Sequence, residues 1–271
     1  MADQYAVIGN PVAHSRSPQI HAEFARQTGQ DLTYERLLAP AHAFMDAASA
    51  FRSRGGRGLN VTLPFKGEAF RFATVLSERA RAAQAVNTLK FDGGAILGDN
   101  TDGAGLVNDL SRNLGYAIAG RRVLLLGAGG AARGVIKPVL EQEPARLVLA
   151  NRTLAKAQQL AQSFGVGVEA SSFAALASRQ FDLVVNATSA SLAGDLPPLP
   201  PGVFAPGALA YDMMYGKHDM PFLAFARAEG VVALADGLGM LVEQAAESFY
   251  IWRGLRPDTA PVLTLLRQAN A

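Results

Sequence analysis

Val123-Leu124-Leu125-Leu126-Gly127-Ala128-Gly129-Gly130-Ala131-Ala132 passes from four apolar residues through a glycine-rich turn into a small-residue helix start. A buried strand followed at once by such a turn is the signature of a dinucleotide-binding βαβ unit. Gly127 permits the tight turn. Gly129 lets backbone approach a pyrophosphate, and Ala132 stands where a small side chain allows close packing of helix on strand. Ala128, Gly130 and Ala131 complete a loop whose unpaired helix N–H groups face the phosphates. Glycines also make ordinary turns, so the strand, turn and helix context carries the reading.

The next strand, Leu147 to Ala150, ends in Asn151-Arg152-Thr153 with Lys156 one turn on. Here an NAD enzyme usually places a carboxylate on the ribose 2′-hydroxyl. A guanidinium and an ammonium with no carboxylate favour a 2′-phosphate, hence NADP. The plainer alternative makes Asn151 or Thr153 a helix cap and Arg152 a solvated residue.

Outward from this core the pattern continues with strands at Phe181 to Val185, Ala208 to Asp212 and Val231 to Leu234. These runs are apolar on both faces and separated by helices, which predicts a doubly wound parallel sheet. Upstream, Tyr5 to Ile8, Leu32 to Leu38, Leu59 to Val61 and Val86 to Phe91 read as strands. A helix from Pro18 toward Thr28 has Ser17 as candidate cap and Gly29 as stop. Another spans His42 to Arg54, and Asp92-Gly93-Gly94 turns the chain into a return strand at Ala95 to Leu97. A last helix, Leu238 to Trp252, carries Leu241, Ala245, Ser248 and Trp252 on one stripe and is expected to pack back on the first lobe. The expected fold is α/β in two lobes: residues 1–102 with 239–271 as an N-terminal α/β domain, and 103–238 as a Rossmann-type domain.

The 271 residues exceed the size at which single cores split, near ~250 residues. With 49% apolar and 18% charged residues the chain has ample core and no disordered signature. The formal charge of +2 is spread along the length, so nucleic acid is not an expected partner. Absent cysteine excludes disulfides and thiolate chemistry. His14, His21, His42 and His218 show no metal-ligand spacing, and no metal is expected. No stretch reaches the ~18 apolar residues of a bilayer span, which makes cytoplasmic residence the default expectation. Among assemblies, a homodimer stays open.

Three segments of the first lobe are polar where a core would not need them. Ser15 and Ser17, in His14-Ser15-Arg16-Ser17-Pro18, present two hydroxyls beside a helix start, a cradle for a carboxylate; Ser-Pro is also an ordinary helix opening. Thr62 and Lys66 follow a buried strand, where sites in open sheets gather. Asp102, in Gly98-Asp99-Asn100-Thr101-Asp102-Gly103, sits where an N-cap would, ahead of a helix from Ala104 to Leu114; alternatively it pairs with a lysine. Later, Tyr211 to Gly216 and Ala235 to Gly239 follow strands of the second sheet, and their backbones suit a nicotinamide pocket. Gln244 lies at the edge of the last helix's inward stripe, as a core amide or a ligand.

Taken in order, Gly9-Asn10-Pro11 with Ser15-Arg16-Ser17-Pro18, Asn60-Val61-Thr62 with Pro64-Phe65-Lys66, Ala85-Val86-Asn87-Thr88 and Asn100-Thr101-Asp102-Gly103 resemble the shikimate dehydrogenase family. The likeness continues through the glycine turn, Asn151-Arg152-Thr153, Asn186-Ala187-Thr188-Ser189 and Asp236-Gly237-Leu238-Gly239-Met240-Leu241. The resemblance implies reversible NADPH-dependent reduction of 3-dehydroshikimate to shikimate, in aromatic amino-acid biosynthesis. It implies that Ser15 and Ser17 hold the substrate carboxylate, and that Thr62, Asn87, Tyr215 and Gln244 bind the other polar groups. Lys66 and Asp102 would be the catalytic pair. Glu78, Met213 and Gly237 would join the glycine turn and Asn151 to Lys156 at the cofactor. For Glu78 the residues offer no independent argument. Two departures stand out: Lys156 where arginine is frequent, and the segment His218-Asp219-Met220. Two rival readings are a quinate/shikimate dehydrogenase with relaxed substrate or NAD use, and a nucleotide-binding regulator without turnover.

Overall fold

Two runs of strands, each wrapped by helices, organise the computed structural model, which describes residues 2–188, 195–216 and 220–269. They form two compact units, one from residues up to 105 together with Leu241–Ala269, the other from Leu106–Met240. Ser189, His218 and Asp219 lie outside the described residues.

The first unit contains β1 (Asp3–Gly9), α1 (Ser17–Thr28), β2 (Leu32–Leu38), α2 (Phe44–Ser53), β3 (Gly56–Val61), α3 (Lys66–Phe72), β4 (Val75–Leu76), α4 (Glu78–Ala83), β5 (Thr88–Asp92) and β6 (Ala95–Asp99). Its sheet order is β2-β1-β3-β5-β6-β4. Helical crossovers make β1 parallel to β2 and β3, while β5 runs antiparallel to β3 and β6. Asp92 pairs with Ala95, so Gly93-Gly94 is a two-residue hairpin loop, and Gly93 takes the left-handed conformation such a turn demands (φ 56°). Ile8, Leu59 and Val61 meet Phe44, Phe51 and Phe65 in the core.

Helix α5 (Asp102–Asn108) leads out of this unit and continues as a π-helical turn, Asp109–Asn113. The second unit follows with β7 (Arg122–Leu126), α6 (Gly130–Leu140), β8 (Arg146–Ala150), α7 (Leu154–Gln162), β9 (Val168–Ser171), β10 (Phe181–Asn186), β11 (Phe204–Asp212), α8 (Pro221–Ala228) and β12 (Ala233–Ala235). All its described strands are parallel, in the order β12-β11-β10-β7-β8-β9. Val123 and Leu125 enter one apolar cluster while Leu124 and Leu126 enter another. A strand that alternates between two buried faces must be apolar throughout, which is why these runs read as continuous. Helix α9 (Leu238–Arg253) returns the chain and α10 (Ala260–Gln268) closes the first unit.

Three local expectations need correcting. Ser17 is the first residue of α1 and not its cap; Arg16 holds the cap position without a side-chain bond. Asp102 likewise opens α5 from inside. The single stripe on α9 was too narrow: besides Ala245, Ser248 and Trp252, the helix buries Glu243 and Glu247. Those carboxylates are accommodated because Glu243 accepts from Thr259 Oγ1 at 2.6 Å, while Glu247 pairs with Arg79 at 3.1 Å and Arg256 at 2.7 Å. The short elements β4, β9, α3, α4, α8 and α10 add to the predicted elements.

Candidate active site

Lys66 enters the site because β3 delivers the chain to a tight loop and the buried Phe65 anchors the start of α3. Its ammonium lies 2.6 Å from Asp102 Oδ2, with the lysine side chain 30% exposed and the aspartate 10%. The β5–β6 hairpin brings Asn87 and Asp102 together, and Asn87 Nδ2 donates to Asp102 Oδ1 at 2.8 Å. The amide's orientation is decided by its other end, where Asn87 Oδ1 accepts from the Thr101 backbone N–H at 2.9 Å. Both carboxylate oxygens of Asp102 therefore face donors, the arrangement of an ionised partner. Lysine pairing, the alternative to capping, is what the geometry realises. Gln244 reaches the same place from α9, its Oε1 lying 3.3 Å from Asn87 Nδ2 and 3.3 Å from Thr101 Oγ1.

Ser15, just ahead of α1, and Ser17, its first residue, have their hydroxyls 3.2 Å apart, and the Ser17 backbone N–H points at Ser15 Oγ. The loop is pinned from β2 by Arg36, which grips the Ser15 carbonyl with two bonds of 3.0 and 2.7 Å. Thr62 leaves β3 half-buried, and among the described residues its hydroxyl has no partner. Glu78 is exposed in the first turn of α4, in the first unit, where Ser77 caps the helix and a carboxylate suits the dipole. That placement is a sufficient structural account of it.

In the second unit, Gly127 adopts φ +104°, and a Cβ there would press on Thr188 and Ala187 beyond the end of β10. The turn thus sits between β7 and β10, the point where strand order reverses and ligands of doubly wound sheets bind. At Gly129 and Gly130 an added Cβ would meet nothing within 4 Å. Gly129 caps α6 with no side chain, so no cap side chain occupies the first-turn N–H groups. Ala128 is half-buried, Ala131 is exposed and Ala132 is buried against the sheet. Asn151 Nδ2 donates to the Thr153 carbonyl at 2.9 Å, while Thr153 sits at the N-cap of α7 without a side-chain bond. Arg152 and Lys156 are exposed, and among the described residues neither is in an ion pair. An open glycine cradle followed by two uncommitted cations fits a phosphorylated dinucleotide.

Met213 and Gly237 are brought together in this unit: Gly237 N–H donates to the Met214 carbonyl at 2.8 Å, and a Cβ on Gly237 would run into the Met213 carbonyl. Buried Asn186 sets this edge by donating to Asp212 at 2.9 Å and accepting from Thr188. Tyr215 follows β11 here as well, on the unit other than the one carrying Lys66. Among the described residues no group of three or more histidines, cysteines and carboxylates could hold a metal ion, and no helix is long and apolar enough to cross a membrane.

Three family models match in chain order: the shikimate dehydrogenase substrate-binding domain over residues 7–89, shikimate/quinate 5-dehydrogenase over 109–193, and the shikimate 5′-dehydrogenase C-terminal domain over 237–267. The shikimate dehydrogenase (NADP(+)) of Nitrosospira multiformis is 62% identical over 271 residues, covering 99% of this chain and 98% of that protein. The chain belongs to the shikimate dehydrogenase family. Among solved structures, the Thermus thermophilus shikimate 5-dehydrogenase in complex with NADP(H) and shikimate superposes with a TM-score of 0.88 at 34% identity, covering 98% of this chain and 99% of that one. An Ael1 enzyme from Pseudomonas putida superposes with a TM-score of 0.93 at 50% identity, covering 98% of both chains. The family's two-domain α/β architecture, an N-terminal substrate-binding domain and a Rossmann-like NADP-binding domain, is the architecture found here.

His21, Tyr34, Thr88, Thr101 and Ser248, to which the sequence pattern gives no role at the site, are all drawn into the network around Asn87. One signal was available. Asn60 interrupts the buried run Leu59-Asn60-Val61, and a polar residue in a buried strand must find partners.

Proposed function

We propose that this chain catalyses the reversible NADPH-dependent reduction of 3-dehydroshikimate to shikimate, a step of aromatic amino-acid biosynthesis. The observation that carries the reading is the Lys66–Asp102 pair at 2.6 Å, with Asn87 on the second carboxylate oxygen. NADPH, when bound, supplies the hydride for the ketone carbon. Lys66 delivers a proton to the oxygen that becomes the hydroxyl and stabilises its developing charge. Asp102 fixes the ammonium by its short charge-assisted bond. Ser15 and Ser17 take the substrate carboxylate through their hydroxyls; Thr62, Asn87, Tyr215 and Gln244 bind the remaining oxygens. Gly127 to Ala131 receive the pyrophosphate, Arg152 and Lys156 with Asn151 and Thr153 the 2′-phosphate, and Met213 with Gly237 the nicotinamide. Glu78 is retained at the cofactor's edge on the family resemblance alone. The domain limits proposed are 1–102 with 239–271, and 103–238. Cytoplasmic residence, a small-molecule partner without nucleic acid or membrane, and a homodimeric assembly belong to the same proposal.

The test follows absorbance of the reduced nicotinamide with shikimate or quinate against NADP or NAD. Turnover with shikimate and NADP is expected. No reduction in any pairing overturns the enzyme reading, and faster turnover with quinate or NAD reassigns the substrate or cofactor.

A further inference from the structure

Behind Asn87 the first unit holds an unbroken series of polar contacts that the reaction itself does not require. Tyr34 Oη lies 2.7 Å from Asn60 Oδ1, and His21 Nε2 lies 3.1 Å from the same oxygen. Burial raises the Tyr34 phenol well above its usual range, with the Ser17 hydroxyl opposing the rise, and drives the His21 imidazole down to about 3. Both groups are neutral and both donate, which turns Asn60 Oδ1 into an acceptor and Nδ2 outward as the donor. The ring of His21 stacks on Tyr34 at 4.3 Å and 8°, which fixes the pair.

From there the directions follow one by one. Asn60 Nδ2 donates to Ser248 Oγ at 2.9 Å, with Thr88 Oγ1 and the Asn87 carbonyl each at 3.3 Å. Asn87 Oδ1 can only accept, so the proton of Thr88 Oγ1 goes to it at 2.9 Å. With the Thr88 proton so committed, the 2.7 Å contact between the two hydroxyls is made by the Ser248 proton, which Thr88 Oγ1 shares with the Gln244 carbonyl at 3.0 Å. At the end Asn87 Nδ2 donates to Asp102 Oδ1 at 2.8 Å. Every bond points the same way, from a phenol to a carboxylate, and bonds so aligned polarise one another.

We propose that Thr88, Ser248 and Asn60 are positioning residues for the reduction, a one-directional donor chain that holds the Asn87 amide against Asp102 and so aims Asp102 at Lys66. The inference rests on the functional reading above. None of the three is assigned a substrate contact. Charged neighbours do not supply this aim: Asp99 is turned to Arg79 and Ser77, Glu247 to Arg79 and Arg256, and Glu243 to Thr259.

Paired substitutions at Thr88 separate a donor from a packing role. Thr88→Val keeps the side chain's shape and removes the proton, while Thr88→Ser keeps the proton and removes a methyl. For shikimate oxidation with NADP the expected result for Thr88→Val is kcat down by roughly tenfold at nearly unchanged shikimate KM. Thr88→Ser should keep kcat within about twofold of the parent, and Ser248→Ala should lose roughly three- to fivefold. Should Thr88→Val fail to fold, Ser248→Ala decides alone. Normal kcat in both Thr88→Val and Ser248→Ala, or an equal loss in Thr88→Ser and Thr88→Val, overturns the donor chain. A parent protein with no turnover overturns the functional reading instead, which is a distinguishable result.

Discussion

In the first unit almost every polar side chain around Lys66 is spent on another side chain, whereas the glycine turn of the second unit offers backbone N–H groups, open space and two exposed cations. The first surface is built before any ligand arrives, from groups held within 2.6 to 3.3 Å of one another. The second is built largely by what is missing, since Gly129 and Gly130 carry nothing that would fill the cradle. Preorganised side chains suit proton transfer, where angle and distance set the barrier. A bare helix start suits a phosphate, which needs charge and room more than a fixed partner.

The contrast is broken most directly by Lys66→Ala. It should reduce kcat by on the order of 10²-fold or more with a modest change in shikimate KM, because the interaction is made in the transition state. An unaltered kcat removes the lysine from the chemistry. Next in size, Arg152→Ala should raise the KM for NADPH by roughly tenfold to a hundredfold and leave that for NADH nearly unchanged, the value of one charge-assisted phosphate contact. Equal losses for the two cofactors would place Arg152 elsewhere. Gly239→Ala sharpens the comparison on the stability side. Its Cβ would be driven into the buried carboxylate of Asp109, which accepts from Tyr211 at 2.6 Å, and the loss of about 1 to 3 kcal/mol is measurable by urea unfolding.

The smallest effect concerns acid. His21 titrates near 6.5 when unfolded and about 3 when folded, so between these values the unfolded chain binds the extra proton. Stability is then full above about 6.5 and is lost as pH falls toward about 3. His21→Gln should flatten the decline of the urea midpoint between pH 7 and pH 5, a range above the carboxylates. An unchanged slope would mean that another group governs it.

The same contrast explains what could be read from the chain. Gly127, Gly129 and the cations at Arg152 and Lys156 lie within thirty residues of one another, and backbone sites announce themselves by glycine and spacing. The doubly wound sheet was legible because both faces of β7 and β8 are buried, leaving uninterrupted apolar runs. Lys66 and Asp102 were legible as candidates, and their pairing as an alternative to capping; what the chain could not show is its geometry, because the hairpin between them sets the 2.6 Å distance. Ser248 was read as one more position on an apolar stripe; its partners Asn60 and Thr88 are 188 and 160 residues away. Short elements such as β4 were illegible for a different reason: two residues carry no period.

The β5–β6 hairpin has a consequence for the order in which this protein folds. Asn87 and Asp102 are separated by 15 residues, a span closed by a tight two-residue turn, and contacts of that kind form in roughly microseconds. Ser248 must wait for a whole second unit to be threaded through before α9 arrives, at the cost of a long loop closure. Sequence separation therefore predicts that the carboxylate partner of the catalytic pair is assembled early and locally, and that the chain behind it is completed late. Substitutions at Thr88 on the hairpin side should slow refolding, while those at Ser248 should mainly speed unfolding, the two arms of a single chevron.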